Sequence, residues 1–360
     1  MHQNPPRYAP GPPRLTLPPK PRGRVVPILF LLALITGGLF GGSYAFSSEP
    51  DVRLLPGIAF AQVDGLDAVL VPYERHGTRG LYQLIAQDTA QARLAAVEAT
   101  SGTILWDARL SDQLVRDASV LAAGQRLAYL ATGSGLMIVD LADGSVVAEG
   151  LGFASASRAF AFDAAGQRVL GLTAAGAVQA VGLDQTEATP VDAATAAAWA
   201  GRLSTEPGSA APTIATGTEA AVAGSAERVA LQDLPFGMPG SLLVRVTVDG
   251  LPIPVGGVAF VGGQLVIEGG AAVGTTTGHV LIEHRDTVED RSTTLSVVTL
   301  DSGRIAGSVT VESPVDRALV GPNGMTAVVA RDVLAVAHAD GDVVSVDVGA
   351  TNFFGTPGTD

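Results

Sequence analysis

The chain has no cysteine in 360 residues. That excludes a disulfide framework, a thiolate zinc site, covalently attached c-type haem, a cysteine nucleophile and a lipid-modified cysteine at a signal-peptide junction. Lysine is nearly missing too, since Lys20 is the single one among 22 basic residues. An S-x-x-K nucleophile therefore has no lysine to use in the body, and no G-x-S-x-G elbow is present. Aromatics are only 5%, against 47% apolar residues and 44 glycines. Such a core must be built from Val, Leu, Ile and Ala on short strands joined by tight turns.

Acidic residues are absent before Glu49, where five basic residues stand: Arg7, Arg14, Lys20, Arg22 and Arg24. The rest of the chain holds 17 basic residues against all 35 acidic ones. An acidic body repels polyanions, so nucleic acid is not an expected partner.

Long apolar runs are also scarce, with one exception. Val25 to Phe46, "VVPILFLLALITGGLFGGSYAF", is 22 residues without a charge, about 33 Å as a helix and long enough to cross a bilayer. The positive charge on its N-terminal side predicts a single-pass anchor with residues 1–24 in the cytoplasm and the body outside the cell membrane. Ser43-Tyr44-Ala45 also suits signal-peptide cleavage before Phe46. The 24-residue leader and the length of the run favour an uncleaved anchor. Eight of the 22 prolines lie in residues 1–24, which reads as a disordered, partly polyproline II tail.

In residues 47–350 the recurring pattern is a short apolar strand, a turn with Asp or Gly, and another strand. The turn in "AAVEATSGTILW" carries Gly102 and that in "LMIVDLADGSVVAEG" carries Gly144, 42 residues later. Another step of 42 reaches Thr186 in "AVQAVGLDQTEATPV", where Asp184 to Thr186 supply the turn. Lead-ins around Ala-Gly-Gln-Arg at 123–126 and 165–168 add a further hairpin to the second and third copies. The pattern returns at Gly303 and at Gly341, 38 residues on. Four strands per ~42 residues is the period of propeller blades. The expected fold is therefore all-β, a β-propeller of six or seven four-stranded blades preceded by one transmembrane helix. An Ala/Thr/Ser-rich insertion around 190–224 interrupts it, with a helix at "DAATAAAWAGR" capped by Asp192 and ended by Gly201. Residues 351–360 form a C-terminal tail.

Ala96-Val97-Glu98-Ala99-Thr100-Ser101-Gly102-Thr103-Ile104-Leu105-Trp106 resembles the repeat tape of pyrroloquinoline-quinone-like propellers, and the rhythm elsewhere is WD40-like. That resemblance implies structural roles for Gly102, which makes the turn, and Trp106, which packs between neighbouring blades. The same repeat occurs in quinoprotein dehydrogenases and in non-enzymatic relatives such as scaffolds of outer-membrane-protein assembly. Recurrent tryptophans and a vicinal disulfide, common in the dehydrogenases, are missing here, where Trp106 and Trp199 are the only tryptophans.

Several polar stretches are candidate sites. "HVLIEHRDTVEDR", His279 to Arg291, has neither HExxH nor HxxEH spacing, and alternation puts His279 and Glu283 on one strand face and His284 on the other. It reads as a solvated hairpin with tip residues Asp286, Glu289 and Asp290. Asp340, Asp342 and Asp347 sit near an Asp-Gly turn without a full calcium loop. "YERHGTRG", Tyr73 to Gly80, reads as a loop leaving a strand, and "TGSGL", Thr132 to Leu136, as a blade turn rather than a phosphate loop. No catalytic, cofactor-binding or metal-binding residue is assigned. The expected function is a non-catalytic protein- or ligand-binding scaffold, with a protein partner at the cell envelope. The alternative is an exported quinoprotein-like oxidoreductase or hydrolase using the central channel.

Overall fold

The computed structural model describes residues 51–349 except 56, 78–89, 112–117, 157–158, 204–214, 275–277 and 332, together with 31, 32, 34 and 38. The proline-rich tail, nearly all of the apolar run and the C-terminal tail lie outside these residues. Leu31, Leu32, Leu34 and Gly38 are helical and exposed. Among the described residues no helix is long and apolar enough to cross a membrane.

The body is all-β, made of antiparallel meanders in chain order, a propeller-like arrangement. The first meander takes Leu66–His76, Ala90–Glu98 and Ile104–Ser111, with Asp51–Leu54 and Ala59–Val63 sharing the outer edge of the long strand. The second runs from Ala118–Ala123 through Leu127–Thr132 and Gly135–Asp140 to Val146–Glu149. The third comprises Phe160–Asp163, Arg168–Leu172, Val178–Gly182 and Thr189–Pro190. The fourth uses Glu219–Val222, Arg228–Asp233, Ser241–Val246 and the first half of Pro252–Glu268. The second half of that strand opens the fifth, followed by His279–Arg285, Thr293–Thr299 and Ile305–Val311. With the short strands Ala215–Gly217 and Ala271–Ala272, the shared strand joins both into one nine-stranded sheet. Arg317–Val320, Thr326–Ala330, Val333–Ala337 and Val343–Asp347 form the sixth.

Edge and middle strands differ in a way that follows from packing on both faces. Ala118–Ala123 alternates buried and half-buried residues, whereas Leu127–Thr132 and Thr326–Ala330 are buried throughout. A middle strand covered on both faces needs a continuous apolar run, so period-2 alternation disappears there.

Five apolar cores tie the meanders together. Leu70, Leu94 and Trp106 of the first pack on Val120, Leu130 and Val139 of the second, and Tyr129 and Ile138 of the second pack on Leu170 and Val181 of the third. Leu231 and Leu243 of the fourth meet Val280 and Ile282 of the fifth. Leu281 and Val297 of the fifth meet Ala318 and Val328 of the sixth. Val71, Tyr73 and Val97 of the first meet Val329 and Val336 of the sixth. The last meander thus packs on the first. A helix, α1 (Ala193–Ala200), follows the third meander; the Asp192 carboxylate accepts from the backbone of Ala194 and Thr195 at its start, and Gly201 closes it. Its Trp199 packs on the second and third meanders' core.

Each recurring turn lies against the meander before it. A Cβ at Gly144 would stand 2.7 Å from the Trp106 ring, and one at Gly102 would stand 2.7 Å from Val344 of the sixth meander. Gly341 in turn sits on Ala306 of the fifth. The third meander has no glycine there. Its Asp184 takes the left-handed conformation itself, at φ 59°, and its carboxylate accepts from the backbone N–H groups of Gln125, Arg126 and Leu127 at 2.8–3.0 Å.

Candidate functional site

The seam between the sixth and first meanders carries polar groups at both ends. At one end four hairpin turns surround an open cleft of about 540 Å³. Asp67 begins the Leu66–His76 strand, Thr100 lies in the next turn, Asn323 comes from the turn before Thr326, and His338, Asp340 and Asp342 come from the turn before Val343. Met325 and Val344 add apolar wall.

Hydrogen bonds fix this rim. Asn323 Nδ2 donates to Asp67 Oδ2 at 3.2 Å across the seam, and Asn323 holds φ 57°, which Asn tolerates better than bulkier residues. The Asp342 N–H donates to Asp340 Oδ1 at 3.1 Å, and the His338 N–H to the Asp342 carbonyl at 2.8 Å. His338 Nε2 is buried and has no hydrogen-bond partner among the described residues. Three carboxylates at the rim make the cleft an acceptor of N–H donors and cationic groups.

At the other end of the seam the first meander buries a charged network. Arg93 Nε contacts Asp107 Oδ1 at 2.9 Å, and the Tyr73 hydroxyl donates to Asp107 Oδ2 at 2.5 Å. Gln91 Oε1 accepts from both Arg93 and Arg75. Arg75 is 5% exposed, and its Nε and Nη1 have no partner among the described residues. Burial, then the Arg93 charge, lowers its pKa. Burial, then the Asp107 carboxylate, pushes the Tyr73 phenol well above its ordinary range. Among the described residues two guanidinium groups face one carboxylate here, a structural ion cluster.

The stretches singled out from sequence are dispersed. The reading of Tyr73 to Gly80 as a loop is corrected: the strand continues through His76, because Tyr73, Glu74 and Arg75 are buried against neighbouring strands. Residues 78–80 lie outside the described set. In His279 to Arg291 the tip is exposed as read, but Glu283 and His284 are buried. Glu283 Oε1 accepts from the Val315 N–H at 2.5 Å, and His284 Nε2 lies 2.8 Å from Ser296 Oγ. Burial raises the Glu283 pKa despite that hydrogen bond. Asp340 and Asp342 share the cleft, while Asp347 stands at the far end of its strand opposite Val333. Thr132 to Leu136 is a hairpin turn. Among the described residues no group of three or more His, Asp and Glu could hold a metal ion. Asp67, Asn323 and the Tyr73–Arg93–Asp107 network had no sequence signal, since only strand register and the seam bring them together.

No family model matches this chain, and no curated protein does. Among solved structures it is similar to BamB from Moraxella catarrhalis, at 14% identity over 80% of this chain and 83% of that one, with a TM-score of 0.25. U3-55K matches at 9% identity over 83% and 85%, TM-score 0.24. The uncharacterized protein lmo1340 from Listeria monocytogenes EGD-e matches at 10% identity over 79% and 82%, TM-score 0.23. Likenesses at these TM-scores carry no argument, and the fold rests on the strand pairing above.

Proposed function

We propose that the chain is a membrane-anchored, extracytoplasmic β-propeller of six blades that acts as a non-catalytic binding or scaffold module. Residues 1–24 form the cytoplasmic tail, residues 25–46 the anchor, and the meanders the exported body. The observation that carries the reading is the cleft between the first and last meanders. Apart from Asp67 at the start of a strand, its polar rim comes from turns, which can vary without disturbing the buried strands, the usual place for recognition on a rigid scaffold. The acidic rim suits a partner that brings N–H donors or a cationic side chain.

The test places a photo-crosslinking amino acid at Ala339, exposed in the cleft, or at Val248, an exposed position on the fourth meander. The full chain is then irradiated in its native membrane. A discrete adduct from Ala339, absent from Val248 and lost when Asp67, Asp340 and Asp342 are changed to Asn, supports the reading. Equal adducts from both positions, or substrate turnover by the purified body supplied with quinone and calcium, would sink it.

A further inference from the structure

The turn Leu234 to Gly240, "LPFGMPG", joins two strands of the fourth meander and contains no charge. Phe236 at its tip is 99% exposed, and Met238 is 50% exposed. Phe236 also holds φ 62°, a left-handed conformation disfavoured for a bulky side chain. The base of the turn is closed by the Leu234 N–H donating to the Gly240 carbonyl at 3.1 Å. Neither packing within the body nor local backbone preference accounts for an aromatic ring presented in this way.

Strand pairing fixes the face on which this tip lies. Asp233 pairs with Ser241, and Ser241 with Phe260. The next residue, Val261, pairs with Arg285 of the fifth meander. Glu283 of that strand holds the Val315 N–H, the Asp316 N–H donates to the Val329 carbonyl, and the Leu54 N–H donates to the Arg331 carbonyl. Asp51, where the body begins, pairs with His76 at the same end of the first meander. The Phe236 tip and the start of the body therefore share one face.

Only Ser47, Ser48, Glu49 and Pro50 separate the apolar run from Asp51. Fully extended, that linker spans at most about 18 Å. If residues 25–46 cross the bilayer, as the reading above holds, Asp51 is kept within that distance of the lipid, and the face it shares with Phe236 is the one nearest the membrane. An aromatic ring and a thioether on a charge-free tip suit the boundary between headgroups and acyl chains. At the Arg285 end of the same face Asp286, Glu289 and Asp290 outnumber the exposed Arg285 and Arg291, so the tip offers no basic patch for anionic headgroups and zwitterionic lipid is the fitting surface.

We propose that the Phe236 tip is a lipid contact that seats the body on the bilayer holding its own anchor, with the cleft turned away from the membrane. This rests on the anchor reading. The opposite apolar tip, with Val248 and Leu251 exposed, lies at the other end of the same strands and serves as the internal control.

Because the chain lacks cysteine, F236C and V248C each introduce a single thiol for an environment-sensitive fluorophore. The full chain is reconstituted in phosphatidylcholine vesicles, and melting of each variant is compared with the parent to establish folding. The F236C probe is expected to shift to the blue and to be quenched at least twofold by spin-labelled lipid, while the V248C probe responds only to aqueous iodide. An F236C probe as open to iodide as V248C, in a chain that resists carbonate extraction, would overturn the contact alone. Protection from iodide without quenching by spin-labelled lipid would replace the lipid with a protein partner, and so overturn it too. Extraction of the chain by carbonate would overturn the anchor, and this contact with it.

Discussion

The indole N–H of Trp106 donates to the carbonyl of Leu141 in the next meander at 2.7 Å, beside the turn whose Gly144 leaves no space for a Cβ. W106F keeps part of the packing but strands a buried carbonyl, and should cost about 1–3 kcal/mol. W106A should cost about 3–5 kcal/mol. Gly144 sits at φ 72°, so G144A adds backbone strain to the steric conflict and should cost at least about 1 kcal/mol. Denaturant midpoints of the three variants would rank them.

Asp184 joins the third meander to the second with three backbone N–H groups. Burial raises its pKa, but the donors from Gln125, Arg126 and Leu127 outweigh that and hold it below the ordinary value of 3.8. A depressed carboxylate contributes stability that is fully present above its unfolded pKa and lost as pH falls through the folded one. D184A should therefore lower stability by about 1 kcal/mol near neutral pH, discounted for exposure. The gap from the parent should hold from pH 7 to about 5 and shrink below about 4. Melting curves across that range would measure it, and a gap unchanged at low pH would show that the carboxylate charge does not hold the turn.

In the buried network, Arg75 and Asp107 should respond oppositely. R75M removes an incompletely paired buried cation and should be neutral or stabilising by up to about 4 kcal/mol. D107N leaves both guanidinium groups without their carboxylate and should cost about 3–5 kcal/mol. Thermal unfolding of both variants tests this, and a destabilising R75M would show that its guanidinium has a partner worth keeping.

Glu283 should show the reverse pH behaviour of Asp184. Its pKa is raised by burial, the Val315 N–H notwithstanding, so the folded state binds its proton more readily than the unfolded chain. Stability from this group is present below the unfolded pKa and lost as pH rises through the folded one. E283Q retains a carbonyl acceptor for Val315 and should melt above the parent at pH 7, with the difference vanishing near pH 4. Parallel melting at the two pH values is the check.

The turns at Gly102, Gly144, Gly303 and Gly341 were legible because a tight hairpin needs a residue that tolerates positive φ, and all four adopt it. Trp106 was legible through its tape. Glu74, Arg75 and His76 misled, since three polar residues in a row resemble a loop, yet Glu74 and Arg75 are buried and only His76 is half-exposed; the facing Gln91 reveals why Arg75 is held in the strand. The cleft was invisible for a similar reason: Asp67 and Asn323 meet only after the last meander has docked. The single strand Pro252–Glu268 had no sequence signal of its own, since Gly262 and Gly263 interrupt its apolar pattern at the register shift where it passes from the fourth meander to the fifth.

Except in the nine-stranded sheet, where Ala215–Gly217 pairs with Leu265–Ile267 and Ala221–Val222 with Ala271–Ala272, every described meander is contiguous in sequence. The sixth meets the first through packing and the Leu54 N–H to Arg331 carbonyl bond rather than by exchanging a strand. Each sheet can form as the chain emerges, from contacts close in sequence. The first meander's Val71, Tyr73 and Val97 stay uncovered until residues beyond 325 arrive. Synthesis of the chain is thus a period of exposed apolar surface that ends only with the sixth meander, and truncation within that meander should yield a body that folds in parts and associates with itself.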